Sequence, residues 1–216
     1  MTTFENRAPP IRRVLGTIAL EEAIQLPEFK DKTIQYAYNP SKWEELAEKI
    51  VDIHDIRLQK MNECGVEFFL LSWTSHGAQG YSDQREAEKV ARRANDYMSE
   101  QCKKNPKRFG GFASVSMHDP KQAAQELERA IKELGLYGVI LNDFQEAENG
   151  TKMLWYDQPE YDVFWAKVQE LDGTVHRPCT TNLKCLAIFI RGDLSSKSLT
   201  ISGRTELPCS QVQHSQ

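Results

Sequence analysis

The 216-residue chain has no apolar run approaching about 18 residues, and residues 1–13 lack the apolar core of a secretion signal. Its five cysteines are irregularly spaced and form neither a zinc ribbon nor a disulfide framework. The net charge is −4, no cluster of lysine and arginine is present, and no glycine-rich phosphate loop occurs. We therefore expect a cytoplasmic protein with no membrane segment and no nucleic-acid partner.

What the chain does contain is a repeated pattern of an apolar strand followed by an amphipathic helix. The four predicted strands cover residues 14–20, 66–71, 109–116 and 137–141. Strands that alternate with helices indicate an α/β fold with a parallel sheet and right-handed crossovers. At 24.8 kDa the chain is short for a complete (β/α)8 barrel, which usually needs about 250 residues.

Three connecting segments complete this picture. The spacing of apolar residues predicts one helix from Trp43 to Met61, ended at Gly65. Residues 27–40 are read as an irregular loop whose aromatic residues, Phe29, Tyr36 and Tyr38, either wall a planar ligand or pack against the loop itself. A second loop, around Gly150, is predicted after the fourth strand.

The candidate functional residues follow the predicted strands. Glu21 and Glu22 come directly after the first strand, where a carboxylate could hold a divalent metal or simply begin a solvated loop. Ser72 and Thr74 follow the second strand. Asn142 and Asp143 follow the fourth and either face a pocket or close the strand in an Asx turn. His76 has no recognised partner in the sequence, and we expect His118 to cap a helix.

Four motifs occur in an order and at a spacing that are hard to obtain by chance. They are residues 16–29, Asn95-Asp96, Asn105-Pro106-x-Arg108-Phe109-Gly110 and Met117-His118-Asp119-Pro120. Over residues 14–172 the chain resembles the metal-dependent, non-oxidative decarboxylases of the amidohydrolase-related superfamily. It is most similar to the enzymes that act on 2,3-dihydroxybenzoate and gamma-resorcylate.

This resemblance implies that residues 14–172 form the first half, about four β/α units, of a TIM-type (β/α)8 barrel. It also implies a divalent metal (Zn, Mn or Mg) held by Glu21 and His176, which would be the catalytic residues. No organic cofactor is implied, in agreement with the missing phosphate loop. The substrate would be a small aromatic carboxylic acid, bound with the help of Ser72, Thr74, Asn142 and Asp143. A full-length family member would be expected to form a homo-oligomer.

The composition changes after Asp172. Residues 173–216 contain 11 serines or threonines, three of the five cysteines and only two acids, and their net charge is +3, against −7 for residues 1–172. We therefore expect three regions: an N-terminal extension (1–13), a partial barrel (14–172) and a divergent or mis-spliced, poorly ordered tail (173–216). A genuine divergent C-terminus is the alternative.

Three functions remain open at this point. The first is a carboxy-lyase in truncated and possibly inactive form. The second is a hydrolase of a cyclic amide or lactone, and the third is a catalytically dead half-barrel that acts only by association. A half-barrel has open strand edges, which favour association with a partner.

Overall fold

A computed structural model of the protein describes residues 16–36, 43–172 and 174–176. In this part of the chain the strands are β1 (Thr17–Ile24), β2 (Val66–Trp73), β3 (Phe109–Ser114), β4 (Gly138–Ile140), β5 (Phe144–Ala147), β6 (Lys152–Trp155) and β7 (Thr174–His176). Five of them form a parallel sheet in the order β1-β2-β3-β4-β7, and β5 and β6 form an antiparallel hairpin. The sheet confirms the predicted α/β class.

The helices connect successive strands of the sheet. They are α1 (Trp43–Val51), α2 (Ile56–Cys64), α3 (Gln84–Lys104), α4 (Pro120–Lys132) and α5 (Asp162–Glu170). Gly65 ends α2 in the left-handed conformation, at φ 68°. Asp119 caps α4 by accepting a hydrogen bond from the amide of Lys121. Among the described helices, none combines the length and the apolar character needed to cross a membrane.

The two faces of the sheet are both apolar but have different neighbours. Phe109, Leu71 and Ala113 belong to the cluster that the sheet forms with the helices, which includes Met98 of α3. Alternate residues point the other way, because successive strand side chains face opposite sides. This inner face carries a separate buried cluster of Leu70, Phe112 and Ile140.

Gly111 is the point at which α3 lies closest to the sheet. A Cβ atom at this position would lie 2.5 Å from Cγ of Met98 and 3.0 Å from its sulfur atom, both buried. We expect Gly111→Ala to lower the free energy of unfolding by about 1–3 kcal/mol through overpacking. In urea denaturation, the double variant Gly111→Ala/Met98→Ala should lose less than the sum of the two single variants. Additive losses would show that this contact is not the cause.

Several predicted boundaries are wrong. The predicted helix from Trp43 to Met61 is two helices, because Asp52 accepts hydrogen bonds from the amides of Asp55 and Arg57 and thereby starts α2. Pro27–Tyr36 is a 3-10 helix rather than an irregular loop. The segment around Gly150 is the turn of the β5–β6 hairpin.

Other predictions lie partly or wholly outside the described residues. This applies to the N-terminal extension, to Tyr38 and to residues 177–216 of the predicted tail. Residues 174–176 are described, and they form β7 beside β4 in the sheet.

Candidate functional site

The two neighbouring glutamates of β1 lie inside the strand and face opposite sides of the sheet. The sequence placed the strand end at Leu20, whereas β1 continues to Ile24. Between Ala19 and Glu22 the pairing with β2 shifts, so that two residues of β1 lie opposite one residue of β2. Such a β-bulge redirects side chains. Because successive side chains of the strand point to opposite faces, Glu21 and Glu22 lie on different sides of the sheet.

Glu21 lies on the inner face. Its carboxylate accepts a hydrogen bond of 3.2 Å from the hydroxyl of Ser72, which is fully buried in β2. Glu21 itself is partly exposed. The structure therefore brings together two of the predicted site residues, toward the C-terminal ends of two adjacent parallel strands.

Glu22 has a structural partner instead. Its carboxylate forms an ion pair with Arg57, whose side chain is 9% exposed. Arg57 also donates from Nε to the carbonyl oxygen of Asp52, at 2.9 Å, and from Nη2 to that of Ala23, at 3.3 Å. Glu22 thus ties β1 to the α1–α2 connection.

Asn142 follows β4 and is held by the turn that follows β2. Its Nδ2 donates to the carbonyl oxygen of His76 at 2.7 Å, and its Oδ1 accepts from the hydroxyl of Ser75 at 3.1 Å. Its backbone amide donates to Oε1 of Gln79 at 2.6 Å. Asn142 therefore joins two strand ends, and Asp143 follows it, partly buried, in the bend before β5.

Sequence reasoning missed two buried amides, Gln79 and Gln145, of which the first binds Asn142. Gln79 donates from Nε2 to the hydroxyl of Tyr156 at 3.0 Å, in addition to accepting from Asn142. Gln145, which has no exposed surface, accepts from the amide of Met117 and donates to the carbonyl oxygen of Tyr81. Two isolated glutamines leave no periodic signal, so only the fold shows that they connect the hairpin to the sheet.

Ser114 marks the end of β3 and is fixed by a residue of α3. Oδ1 of Asn95 accepts from the amide of Ser114 at 2.7 Å, and Nδ2 of Asn95 donates to its carbonyl oxygen at 2.9 Å. The side chain thus makes the two hydrogen bonds that a neighbouring strand would make. This accounts for Asn95 in the motif that the sequence analysis identified.

The remaining predicted residues lie elsewhere. Thr74 lines a cleft beside the segment Pro27–Tyr36. Phe29 stacks on Trp73 with ring centroids 5.6 Å apart, so this side chain packs against the rest of the protein. His118 does not cap α4. Its Nε2 lies 3.0 Å from the carbonyl oxygen of Tyr81.

The predicted metal site is only partly described. Within residues 16–36, 43–172 and 174–176, no group of three or more His, Cys, Asp or Glu side chains could hold a metal ion. His176 ends β7, where its backbone pairs with Ile140 of β4. The described residues thus present a single carboxylate, Glu21, at the predicted position, which is too few donors for a complete site.

Comparison with known proteins identifies the family. Residues 27–201 match the family model described as amidohydrolase (Amidohydro_2), so the chain belongs to this family. The match extends past Asp172, and a change of origin at that point stays a prediction. The chain is 39% identical over 160 residues to the gamma-resorcylate decarboxylase of Rhodococcus jostii, an alignment that covers 73% of this chain and 48% of the relative.

Solved structures support the same relationship. A 2,6-dihydroxybenzoate decarboxylase complexed with 2,6-dihydroxybenzoate superposes with a TM-score of 0.72 at 37% identity, covering 75% of this chain and 50% of that one. The dihydroxybenzoic acid decarboxylase of Polaromonas sp. JS666, with bound manganese and the inhibitor 2-nitroresorcinol, gives 0.72 at 40% identity, covering 75% and 48%. These relatives confirm the suspected resemblance and the partial TIM barrel. The chain spans about half the length of the curated relatives it matches.

Proposed function

We propose that this chain contributes the first half of a metal-dependent, non-oxidative decarboxylase of hydroxybenzoate-type acids. The observation that carries the proposal is the position of Glu21. Its carboxylate lies on the inner face of the sheet, beside the buried hydroxyl of Ser72, in a chain related to decarboxylases of dihydroxybenzoates.

In this proposal Glu21 is one ligand of a divalent metal, which would polarise the carboxylate and a neighbouring hydroxyl oxygen of the substrate. Manganese, present in the Polaromonas relative, is the first metal to test. His176 is the proposed second ligand. The other donors would have to come from residues that the structure does not describe or from another chain.

Ser72 has a positioning role in this proposal. Its hydroxyl donates to Glu21 and therefore orients the carboxylate that is proposed to bind the metal. Asn142 and Asp143 are proposed to border the substrate, with Asn142 held in place by Ser75, His76 and Gln79. Thr74 is proposed to contact the substrate from the adjacent cleft.

The reaction itself needs no redox cofactor. The bond between the ring and the carboxyl carbon breaks, carbon dioxide leaves, and the ring carbon receives a proton in its place. The proposed substrate is a small aromatic acid such as 2,6-dihydroxybenzoate, and assembly of the complete protein into a homo-oligomer is part of the proposal.

The adjacent glutamates provide a matched test of metal binding. We expect Glu21→Gln to weaken Mn²⁺ binding by at least tenfold, because a carbonyl oxygen replaces an anionic ligand. Glu22→Gln should leave Mn²⁺ affinity unchanged, since this side chain pairs with Arg57. Isothermal titration calorimetry on the full chain measures both.

Release of carbon dioxide from 2,6-dihydroxybenzoate, with and without Mn²⁺, tests the reaction. Activity that requires Mn²⁺ and falls in Glu21→Gln but not in Glu22→Gln would support the proposal. Equal Mn²⁺ affinity of the wild type and both variants would contradict the role of Glu21. Metal binding without turnover would restrict the proposal to the ligand role.

A further inference from the structure

The turn of the β5–β6 hairpin contains the only Asn-Gly pair of the chain, Asn149-Gly150. The two residues have positive φ angles of 58° and 80°, and both are exposed. Asparagine and glycine adopt this left-handed conformation more readily than most residues, so the pair fits the turn. Because glycine carries no side chain, its backbone nitrogen is also the least shielded nucleophile that can follow an asparagine.

The side-chain amide of Asn149 is not held by the described part of the protein, in which it makes no hydrogen bond. Other asparagines are held. Asn142 donates from Nδ2 to the carbonyl oxygen of His76, and Oδ1 of Asn62 accepts from Nη1 of Arg108. The side-chain carbonyl carbon of Asn149 is therefore free to approach a neighbouring backbone nitrogen.

Ring closure between these two residues requires one rotation of the backbone. At ψ 36° of Asn149, the nitrogen of Gly150 points away from the asparagine side chain. Rotation of the peptide plane between them changes only ψ of Asn149 and φ of Gly150, and glycine accepts either sign of φ. The turn is closed by the amide and the hydroxyl of Thr151, which both donate to the carbonyl oxygen of Glu148. These bonds do not involve the rotating plane, so the folded turn can reach the reactive geometry.

We propose that Asn149 is a site of spontaneous deamidation. The backbone nitrogen of Gly150 gives up its proton and attacks Cγ of Asn149, the Cγ–Nδ2 bond breaks, and ammonia leaves from a five-membered succinimide ring. Water then opens the ring at either carbonyl carbon. The products are aspartate and isoaspartate, in which the backbone runs through the former side chain. The reaction consumes only water and does not depend on the proposed decarboxylase function.

Deamidation would add a carboxylate to a turn that already carries two. Glu148 pairs with Lys152 at 3.3 Å, and Oε2 of Glu146 lies 4.0 Å from the position that a Cβ atom of Gly150 would occupy. Like charges repel at such distances. Isoaspartate also adds one carbon to the backbone beside the paired residues Ala147 and Lys152. We therefore expect faster amide hydrogen exchange in β6 of the isoaspartate form, and unchanged exchange would overturn this effect on the hairpin.

Incubation of the full chain in water enriched in oxygen-18 tests the proposal, with peptide mass spectrometry as the readout. At neutral pH we expect the peptide that contains Asn149 to exchange its side-chain amide for a carboxyl group with one heavy oxygen, and to appear in aspartate and isoaspartate forms. Mildly alkaline pH should accelerate the change, because the attacking nitrogen must lose its proton. Asn149→Gln should abolish it on this time scale, since glutamine would have to form a larger ring.

The chain supplies its own controls. Asn62 is exposed but lies in α2, and Asn105 precedes a proline, which has no N–H to attack with. We expect deamidation at Asn149 to be at least tenfold faster than at either residue. Equal rates at Asn62 and Asn149 would overturn the proposal. So would an unmodified Asn149 in the folded chain after a period in which the chain unfolded in guanidinium chloride is converted at this residue, because the turn would then prevent ring closure.

Discussion

Glu126→Ala is expected to lower the free energy of unfolding by about 3–5 kcal/mol, because it breaks a buried ion pair by removing one partner. The side chain of Glu126 is 2% exposed and contacts Asn95, the residue that binds the end of β3. Its Oε1 accepts from Nη2 of Arg129 at 2.7 Å and from Nδ2 of Asn95 at 2.8 Å, and its Oε2 accepts from Nε of Arg129 at 2.9 Å. Truncation removes two hydrogen bonds from a largely buried guanidinium, which keeps its bond to Asp96, and one from the buried amide of Asn95, which keeps its bond to Ser114.

The pKa of Arg129 supports this expectation. Hydrogen bonding to Glu126 raises the pKa of its guanidinium above the ordinary value, which reflects how strongly this carboxylate stabilises the charged form. An arginine that loses such a partner still keeps its proton. The guanidinium of the variant therefore remains charged and largely buried.

Urea denaturation followed by circular dichroism measures the effect of Glu126→Ala. Glu128→Ala is the matched control, because Glu128 lies on the same helix and pairs with Lys132 and Lys167 at the surface. It should change stability little. Equal losses in the two variants would contradict the importance of burial.

The regular part of the fold follows from the sequence because its signals are local. Asp119 and Pro120 start α4, and Gly65 ends α2, because these residue types strongly favour those positions of a helix. The alternation of strands and helices was enough to predict the parallel sheet. The hairpin was missed because β5 and β6 have four residues each and show no clear alternation of apolar and polar side chains.

The site was predictable as a set of strand ends but not as a set of contacts. Glu21 and Glu22 are chemically identical, and only the β-bulge determines which one faces Ser72. Thr74 and Ser72 are two residues apart, yet Thr74 lines the neighbouring cleft. These outcomes depend on strand register and on where a strand ends, which are the properties that tertiary pairing decides.

Replacement of Asn95 provides the second large effect, because this side chain satisfies both backbone groups of a buried strand end. Asn95→Ala is expected to lower the free energy of unfolding by about 2–4 kcal/mol, since each buried backbone group left unpaired costs about 1–3 kcal/mol. Amide hydrogen exchange should also show faster exchange at Ser114, whose N–H loses its acceptor.

Asn95→Asp tests the direction of these hydrogen bonds. A carboxylate can still accept from the amide of Ser114, but it cannot donate to the carbonyl oxygen of Ser114 or to Glu126. It also places a second negative charge beside Glu126, so at neutral pH we expect it to be less stable than Asn95→Ala. Lowering the pH toward protonation of this carboxyl group should narrow the difference.

Asp96→Ala is the control for both variants of Asn95. Asp96 is the next residue of α3, its side chain is half exposed, and its bond to Arg129 lies at the surface. We expect a loss of about 0–1 kcal/mol. A stable Asn95→Asp variant at neutral pH would contradict the assigned donor and acceptor roles. A loss of stability restricted to the Asn95 variants would instead show that one side-chain amide of α3 fixes the C-terminal end of β3. The candidate site lies at this end of the parallel strands.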